Sequence, residues 1–215
     1  MLTLKDIRHP LSPSWGLLVG CDTGTYMSAS FTLFPPDSLD AFVIAEFPNY
    51  RYVGGEIELL GYSIPEWARL VLSAYQLFRP GVSRLSAWCD ENSQFKTELA
   101  HYGLMLRGNR RKLELRVEIS REYVTHRHLW LAPWLSVLPY EMEHASWPDA
   151  TSSAGKFERL KDNDHTLDTM EHVLSRRPRH KSMVAVKSES FVDRFLRLNR
   201  RQDITPKVDP HLGAL

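Results

Sequence analysis

Only two cysteines occur in the 215 residues, Cys21 and Cys89. That excludes a disulfide framework, and the pair reads as reduced thiols of a cytosolic-type compartment. Long apolar runs are missing as well. The longest, Trp15–Val19 and Ala41–Ala45, fall far short of the roughly 20 residues that a membrane helix needs. The start, MLTLKDIRHP, carries charge where a secretory leader would be apolar, so the chain is not expected to be exported. There is no internal repeat and no Gly-x-Ser-x-Gly elbow of a serine hydrolase. A phosphate loop is also absent: Gly155-Lys156 is followed by Phe157, and Ala150 stands where the first glycine belongs. His126 and His128 lack cysteine or carboxylate partners at zinc-finger spacing.

What is present is ordinary globular chemistry, with 43% hydrophobic, 11% aromatic and 25% charged residues. The length predicts one domain with appendages. A net charge of +1 hides an asymmetry. From Ser175 to Leu215 there are ten Lys or Arg against four acids, +6, which leaves 17 against 22, −5, in the first 174 residues. A basic tail on a mildly acidic body points either to an anionic partner or to a solvated linker. The expected organisation is a lead-in over 1–14, a folded body over 15–175 and a basic tail over 176–215. Ser190–Arg201 in that tail is amphipathic, with Phe191, Phe195 and Leu198 on one face.

Turn residues punctuate the body. Trp15–Asp22, Tyr26–Phe34 and Leu39–Phe47 are strand-length runs closed by Thr23-Gly24, Pro35-Pro36 and Pro48, which favours an antiparallel meander. Ser63-Ile64-Pro65-Glu66 is a helix start, with Ser as cap and Glu three residues on. Val82–Cys89 predicts a fourth strand reaching Asp90, Ser93–Tyr102 a short helix, and Leu104–Leu106 a fifth strand. Lys112–His126 fits a strand by its alternation and a helix by its stripe, and periodicity does not decide. Helices are expected over Pro139–Ser146 and Asp164–Leu174. The sum is a mixed α/β sheet of five strands with helices on both faces.

Three acidic places stand out. Asp22 and Asp90 each end an apolar run, and Asp162, Asp164 and Asp168 fall within seven residues of one another. Side chains alternate along a strand. If the first and fourth strands lie side by side in parallel, Asp22 and Asp90 emerge together at their carboxyl ends, and Cys21 and Cys89 point to the buried face. Open α/β sheets place their sites at such ends. A third carboxylate from the Asp164 helix start would complete a cluster. Clustered carboxylates repel unless cations fill the gap. Oxygen ligands suit Mg²⁺ or Mn²⁺, and two such ions can drive phosphodiester hydrolysis. Each aspartate alone is weak evidence, since strand ends and helix starts use aspartate for turns and caps.

The order of these motifs carries a resemblance. Gly20-Cys21-Asp22-Thr23-Gly24, Trp88-Cys89-Asp90 and Asp162-Asn163-Asp164-His165-Thr166-Leu167-Asp168, preceded by Gly155-Lys156 and by Tyr140-Glu141 with Trp147, resemble the nuclease domain of the large terminase subunit of tailed bacteriophages, in the ribonuclease H-like superfamily. The likeness runs from about Trp15 to Leu174. It departs at Thr169-Met170-Glu171, where small residues and an aromatic are more usual.

The resemblance implies strands 1–3 antiparallel and strands 4 and 5 parallel to strand 1. It implies a two-metal endonuclease that cuts double-stranded concatemeric viral DNA during packaging, in the host cytoplasm, without the ATPase motor. Asp22 would bridge two ions, Asp90 and Asp164 would each hold one, and Asp168 and His165 would join or tune the second site. Glu91 could share the role of Asp90, and Asp162 could compete with Asp164. Portal protein and small terminase subunit are the implied partners, and the tail is a candidate for docking one. Arg107, Arg110, Arg111, Lys112 and Arg116 form a basic stretch suited to DNA phosphates. Other readings are a junction resolvase of the same fold, or a non-catalytic DNA-binding or assembly module.

Overall fold

The computed structural model describes residues 15–35, 38–78, 85–91, 96–145 and 164–177. All of these lie in one compact unit that ends at Pro178. Asp162, Trp147, Gly155-Lys156 and the Ser190–Arg201 stretch fall outside the described residues.

The main sheet grows from β1 (Gly16–Asp22), β2 (Ser28–Phe34) and β3 (Ala41–Glu46), paired as the expected antiparallel meander. Helix α1 (Ile64–Phe78) then carries the chain back so that β6 (Leu85–Asp90) runs parallel to β1. Ser63 donates its backbone N–H and its hydroxyl to the Glu66 carboxylate at the head of α1, half of the capping box that the sequence suggests. After the short α2 (Lys96–His101), β7 (Leu104–Asn109) adds in parallel outside β6.

Two features depart from the expected five strands. First, β8 (Leu129–Leu131) joins the far edge parallel to β3, so the sheet has six strands in the order β7-β6-β1-β2-β3-β8, with β2 alone reversed. This settles the ambiguous Lys112–His126 stretch. A parallel sheet needs a crossover between β7 and the opposite edge, and α3 (Leu113–Thr125) supplies it. Its inner face is Arg116, Val117 and Ser120, and Leu115 is exposed, which a strand register would not give. Second, β4 (Tyr50–Val53) and β5 (Glu56–Leu59) form a separate hairpin. Gly54 and Gly55 turn it at φ +61° and +94°, a backbone hand that glycine adopts without strain. Among the described residues no helix is long and apolar enough to cross a membrane.

Alternation on β1 divides the core. Leu17, Val19 and Cys21 face Trp67 and Val71 of α1, with Ala87 and Cys89 of β6 in the same cluster. The opposite side of the sheet packs on α4 (Val137–His144) and α5 (His165–Leu174) through Leu138, Leu167, Met170 and Val173. Helices therefore cover both faces. Leu18, Gly20 and Asp22 share the α5 side, so the first acid points to the helix that carries the late motif.

Candidate active site

The parallel register pairs Val19 with Ala87 and Gly20 with Trp88. Continued by two residues, this register would set Asp22 level with Asp90 at the carboxyl ends of neighbouring strands. The thiols beside them are buried on the other face, and burial pushes both up, Cys89 to about 11. Inert thiols and a wet pair of aspartates at a strand end are thus two consequences of one alternation.

Helix α5 lies across this edge. A β-carbon on Gly20 would overlap the Thr169 carbonyl oxygen and come within 2.9 Å of Val173 Cγ2, so only glycine lets the helix backbone sit against β1. The first residue of α5, His165, places Nδ1 2.8 Å from Asp22 Oδ2. Burial opposes charge on that imidazole. The hydrogen bond and charge of Asp22, with Glu141 and Asp164 beyond, outweigh it and hold the pKa above the usual histidine value. Asp164 is the N-cap residue of α5 and is buried, as is Asp168 one turn on.

Asp90 is turned to the other end of the helix. Its Oδ1 lies 3.4 Å from Arg116 Nη2 and 3.4 Å from His172 Nε2. His165 and His172 are seven residues apart, about 10 Å along the axis, so the two strand-end acids are drawn toward opposite ends of α5 with Asp168 between them. Among the described residues no three His, Cys, Asp or Glu side chains stand close enough to hold an ion. Both strand-end acids instead find partners within the protein, Asp22 in the His165 imidazole and Asp90 in the Arg116 guanidinium. In donor type and strand-end placement the residues fit hard divalent cations. Their present side-chain directions are those of an ion-paired site.

Arg116 belongs here and not to a DNA-facing stretch. It is 3% exposed, and its guanidinium also meets His172 Nδ1 at 2.7 Å. Asn109, at the end of β7, supports the same ring at 3.2 Å. Arg107, Arg110 and Lys112 are exposed, and Arg110 pairs with Glu91 at 2.7 Å, so Glu91 is turned to an arginine beside Asp90. Arg107 lies within β7, and Arg107 and Arg176 both approach the Trp88 ring, at 6.0 and 4.6 Å.

Behind Asp22 is a polar cluster that pattern reading does not reveal. Glu141 of α4 is 2% exposed. Its Oε1 accepts from Tyr50 Oη at 2.6 Å and from Tyr52 Oη at 3.0 Å, and its Oε2 accepts from the Leu167 N–H at 2.7 Å. Burial pushes Glu141 up to about 7 although all three donors, and the charge of His165, pull it down. Tyr50 Oη and Thr166 Oγ1 are 2.8 Å apart, and Thr166 Oγ1 and Ser28 Oγ are 2.8 Å apart. Ser28 is the register partner of Asp22. Only the Tyr140-Glu141 resemblance hints at this cluster, because its members are 91 and 116 residues apart in sequence.

Neither the family models nor the curated proteins match this chain by sequence. Solved structures do match by shape. The g2p large terminase nuclease domain of bacteriophage SPP1, with bound Mn, superposes with TM-score 0.56 at 13% identity, over 82% of this chain and 92% of that one. The large terminase nuclease of thermophilic phage G20c, with bound cobalt, gives 0.50 at 13% identity, over 76% and 82%. The large terminase of thermophilic bacteriophage D6E gives 0.55 at 13% identity over 77% of this chain, which spans only 40% of that protein. With its mixed sheet, the chain has a ribonuclease H-like fold of the kind seen in phage large-terminase nuclease domains.

Proposed function

We propose that the chain is a metal-dependent endonuclease acting on double-stranded DNA in phage genome packaging, the cutting module of a large terminase. The observation that supports this is that Asp22 and Asp90 end adjacent parallel strands, with His165, the first residue of the helix capped by Asp164, 2.8 Å from Asp22. Asp22, Asp90, Asp164 and Asp168 would hold two divalent ions, Mg²⁺ or Mn²⁺, with His165 in support. Bound there, such ions supply positive charge for an attacking water and a leaving oxygen. The protein's own residues set the stage. Asp22 and Asp90 would turn from His165 Nδ1 and the Arg116 guanidinium toward the cations, and α5, which follows Asp164, carries His165 and Asp168 in its first turn. Arg107, Arg110, Arg111 and Lys112 would hold the duplex by its phosphates without reading sequence. The substrate would be concatemeric viral DNA in the host cytoplasm, with portal protein and small subunit as partners of the assembled enzyme. The Mn and cobalt bound in two of the similar structures support the use of a metal ion.

A second reading, a non-catalytic DNA-binding or assembly module, is favoured by the ion pairs that already satisfy Asp22 and Asp90. Plasmid cleavage titrated with Mn²⁺ and Mg²⁺ separates the two. The wild type should nick and linearise plasmid only with metal, and Asp22→Asn and Asp90→Asn, assayed well below their melting temperatures, should each lose at least about 100-fold in cleavage. A wild type that binds DNA and never cuts it at any metal concentration leaves the second reading standing.

A further inference from the structure

Helix α5 begins without the cap its sequence offers. Asp164 occupies the N-cap position, yet its side chain makes no capping hydrogen bond. The N–H of Leu167, one of the first-turn donors that a cap serves, goes instead to Glu141 Oε2 on α4. The turn so fixed contains His165, which meets Asp22, and leads directly into Asp168. A carboxylate from another helix thus does the work of the cap and relieves Asp164 of it.

Glu141 is itself held from outside both helices. Tyr50 and Tyr52, on alternate positions of β4, bring their hydroxyls to its other oxygen. The hydroxyl chain has one consistent direction if Ser28 donates to Thr166, Thr166 to Tyr50 and Tyr50 to the carboxylate, with Glu141 as the sink. Tyr50 and Tyr26 also pack against the His165 ring at 5.9 and 5.1 Å. The β4–β5 hairpin therefore reaches the candidate site through Glu141. Its outward residues Arg51, Val53, Glu56 and Glu58 remain exposed.

We infer that Glu141 is a positioning residue: through the Leu167 N–H it sets the first turn of α5, and so the placement of Asp164, His165 and Asp168, and it ties that turn to the hairpin through Tyr50 and Tyr52. This deepens the nuclease reading and rests on it.

The test uses the full chain with Glu141→Gln, which keeps the volume but replaces one accepting oxygen with an amide NH₂ and removes the charge, and Tyr52→Phe, which keeps the carboxylate and removes one donor. Three quantities are read: hydrogen-exchange protection of the Leu167 amide, Mn²⁺ affinity by calorimetry without DNA, and kcat and KM for plasmid cleavage. Glu141→Gln should lower protection at Leu167 about 10-fold or more, weaken Mn²⁺ about 5- to 10-fold and lower kcat similarly, with KM changed less than about twofold. Tyr52→Phe should move the same three in the same direction by about 2- to 3-fold. If Glu141→Gln does not fold, Tyr52→Phe carries the test alone. Unchanged protection at Leu167, or lost protection with wild-type Mn²⁺ affinity and kcat, overturns the inference and leaves the nuclease reading intact. A wild type that neither binds Mn²⁺ nor cuts overturns the nuclease reading and the metal-positioning role together, and loss of Leu167 protection would then show a purely structural cap.

Discussion

A single glycine decides whether the helix can reach the sheet. Gly20 sits one residue before Cys21 and two before Asp22, where the Thr169 carbonyl of α5 presses on β1. A methyl group there meets backbone on one side and Val173 at 2.9 Å on the other, and backbone cannot swing aside as a flexible side chain can. Gly20→Ala should therefore cost at least about 2–3 kcal/mol, at the upper end of the range for overpacking. The displaced helix would carry His165 and Asp168 away from Asp22, so cleavage should fall further than stability accounts for. Denaturant melts of Gly20→Ala and, as a control, Gly24→Ala check this. Nothing lies within 4 Å of a β-carbon at Gly24, so that substitution should be nearly neutral. A Gly20→Ala chain that melts with the wild type would show that α5 is not seated on β1 in this way.

At the scale of elements, carboxylates at the heads of helices link the layers. Glu46, at the end of β3, accepts from the N–H groups of Ser136, Val137 and Leu138 and so caps α4. Glu141 on α4 in turn caps α5. The second link has a pH signature. Burial raises Glu141 from 4.5 to about 7, so the folded chain holds a proton that the unfolded chain has released. Stability should then fall as pH rises from about 4.5 to 7, by on the order of 3 kcal/mol from this group, and level off above. His165, raised by Asp22 against burial, contributes stability that is full below the ordinary histidine value and is lost as pH rises through its higher folded value. Both slopes descend, so the variant separates them. Guanidinium midpoints at pH 5, 6, 7 and 8 should fall less steeply between 5 and 7 in Glu141→Gln than in the wild type. Parallel slopes would sink the assignment.

None of this capping is legible in sequence, because it joins residues 26 and more positions apart. The strand ends are legible, since an apolar run closed by aspartate and a turn fixes where β1 and β6 stop. The hairpin is legible too, although the meander and the helix start on either side draw the eye first. Tyr50-Arg51-Tyr52-Val53, Gly54-Gly55 and Glu56-Ile57-Glu58-Leu59 alternate about a two-glycine turn. Arg116 shows the opposite limit: adjacency to Arg110, Arg111 and Lys112 suggests a shared surface, but one helical turn inward it faces Asp90.

For the whole molecule, the proposed function requires a body of net charge −5 over its first 174 residues to meet a polyanion. Local field governs that meeting better than net charge. The carboxyl ends of β6 and β7 gather Arg107, Arg110, Arg111 and Arg176 around Trp88 and Asn109, beside Asp90. Asp90 stands beside this basic rim, which under the proposed reading would hold the duplex next to it. Arg110 is 82% exposed at its side chain, so its pair with Glu91 is weak and open to exchange for a phosphate. Reversing Arg110 and Arg111 to glutamate should weaken duplex binding uniformly across sequences. It should also make the slope of log affinity against log salt shallower by about one for each phosphate that the variant no longer neutralises. Arg116→Met should behave differently. It strips the buried partner from Asp90 and should lower stability while leaving the salt slope near the wild-type value. Fluorescence anisotropy of one labelled duplex from about 50 to 300 mM salt, where counterion release dominates the affinity, reads both. An unchanged slope in the double reversal would move the DNA track away from this rim, and the basic stretch would then serve only to solvate the edge of the sheet.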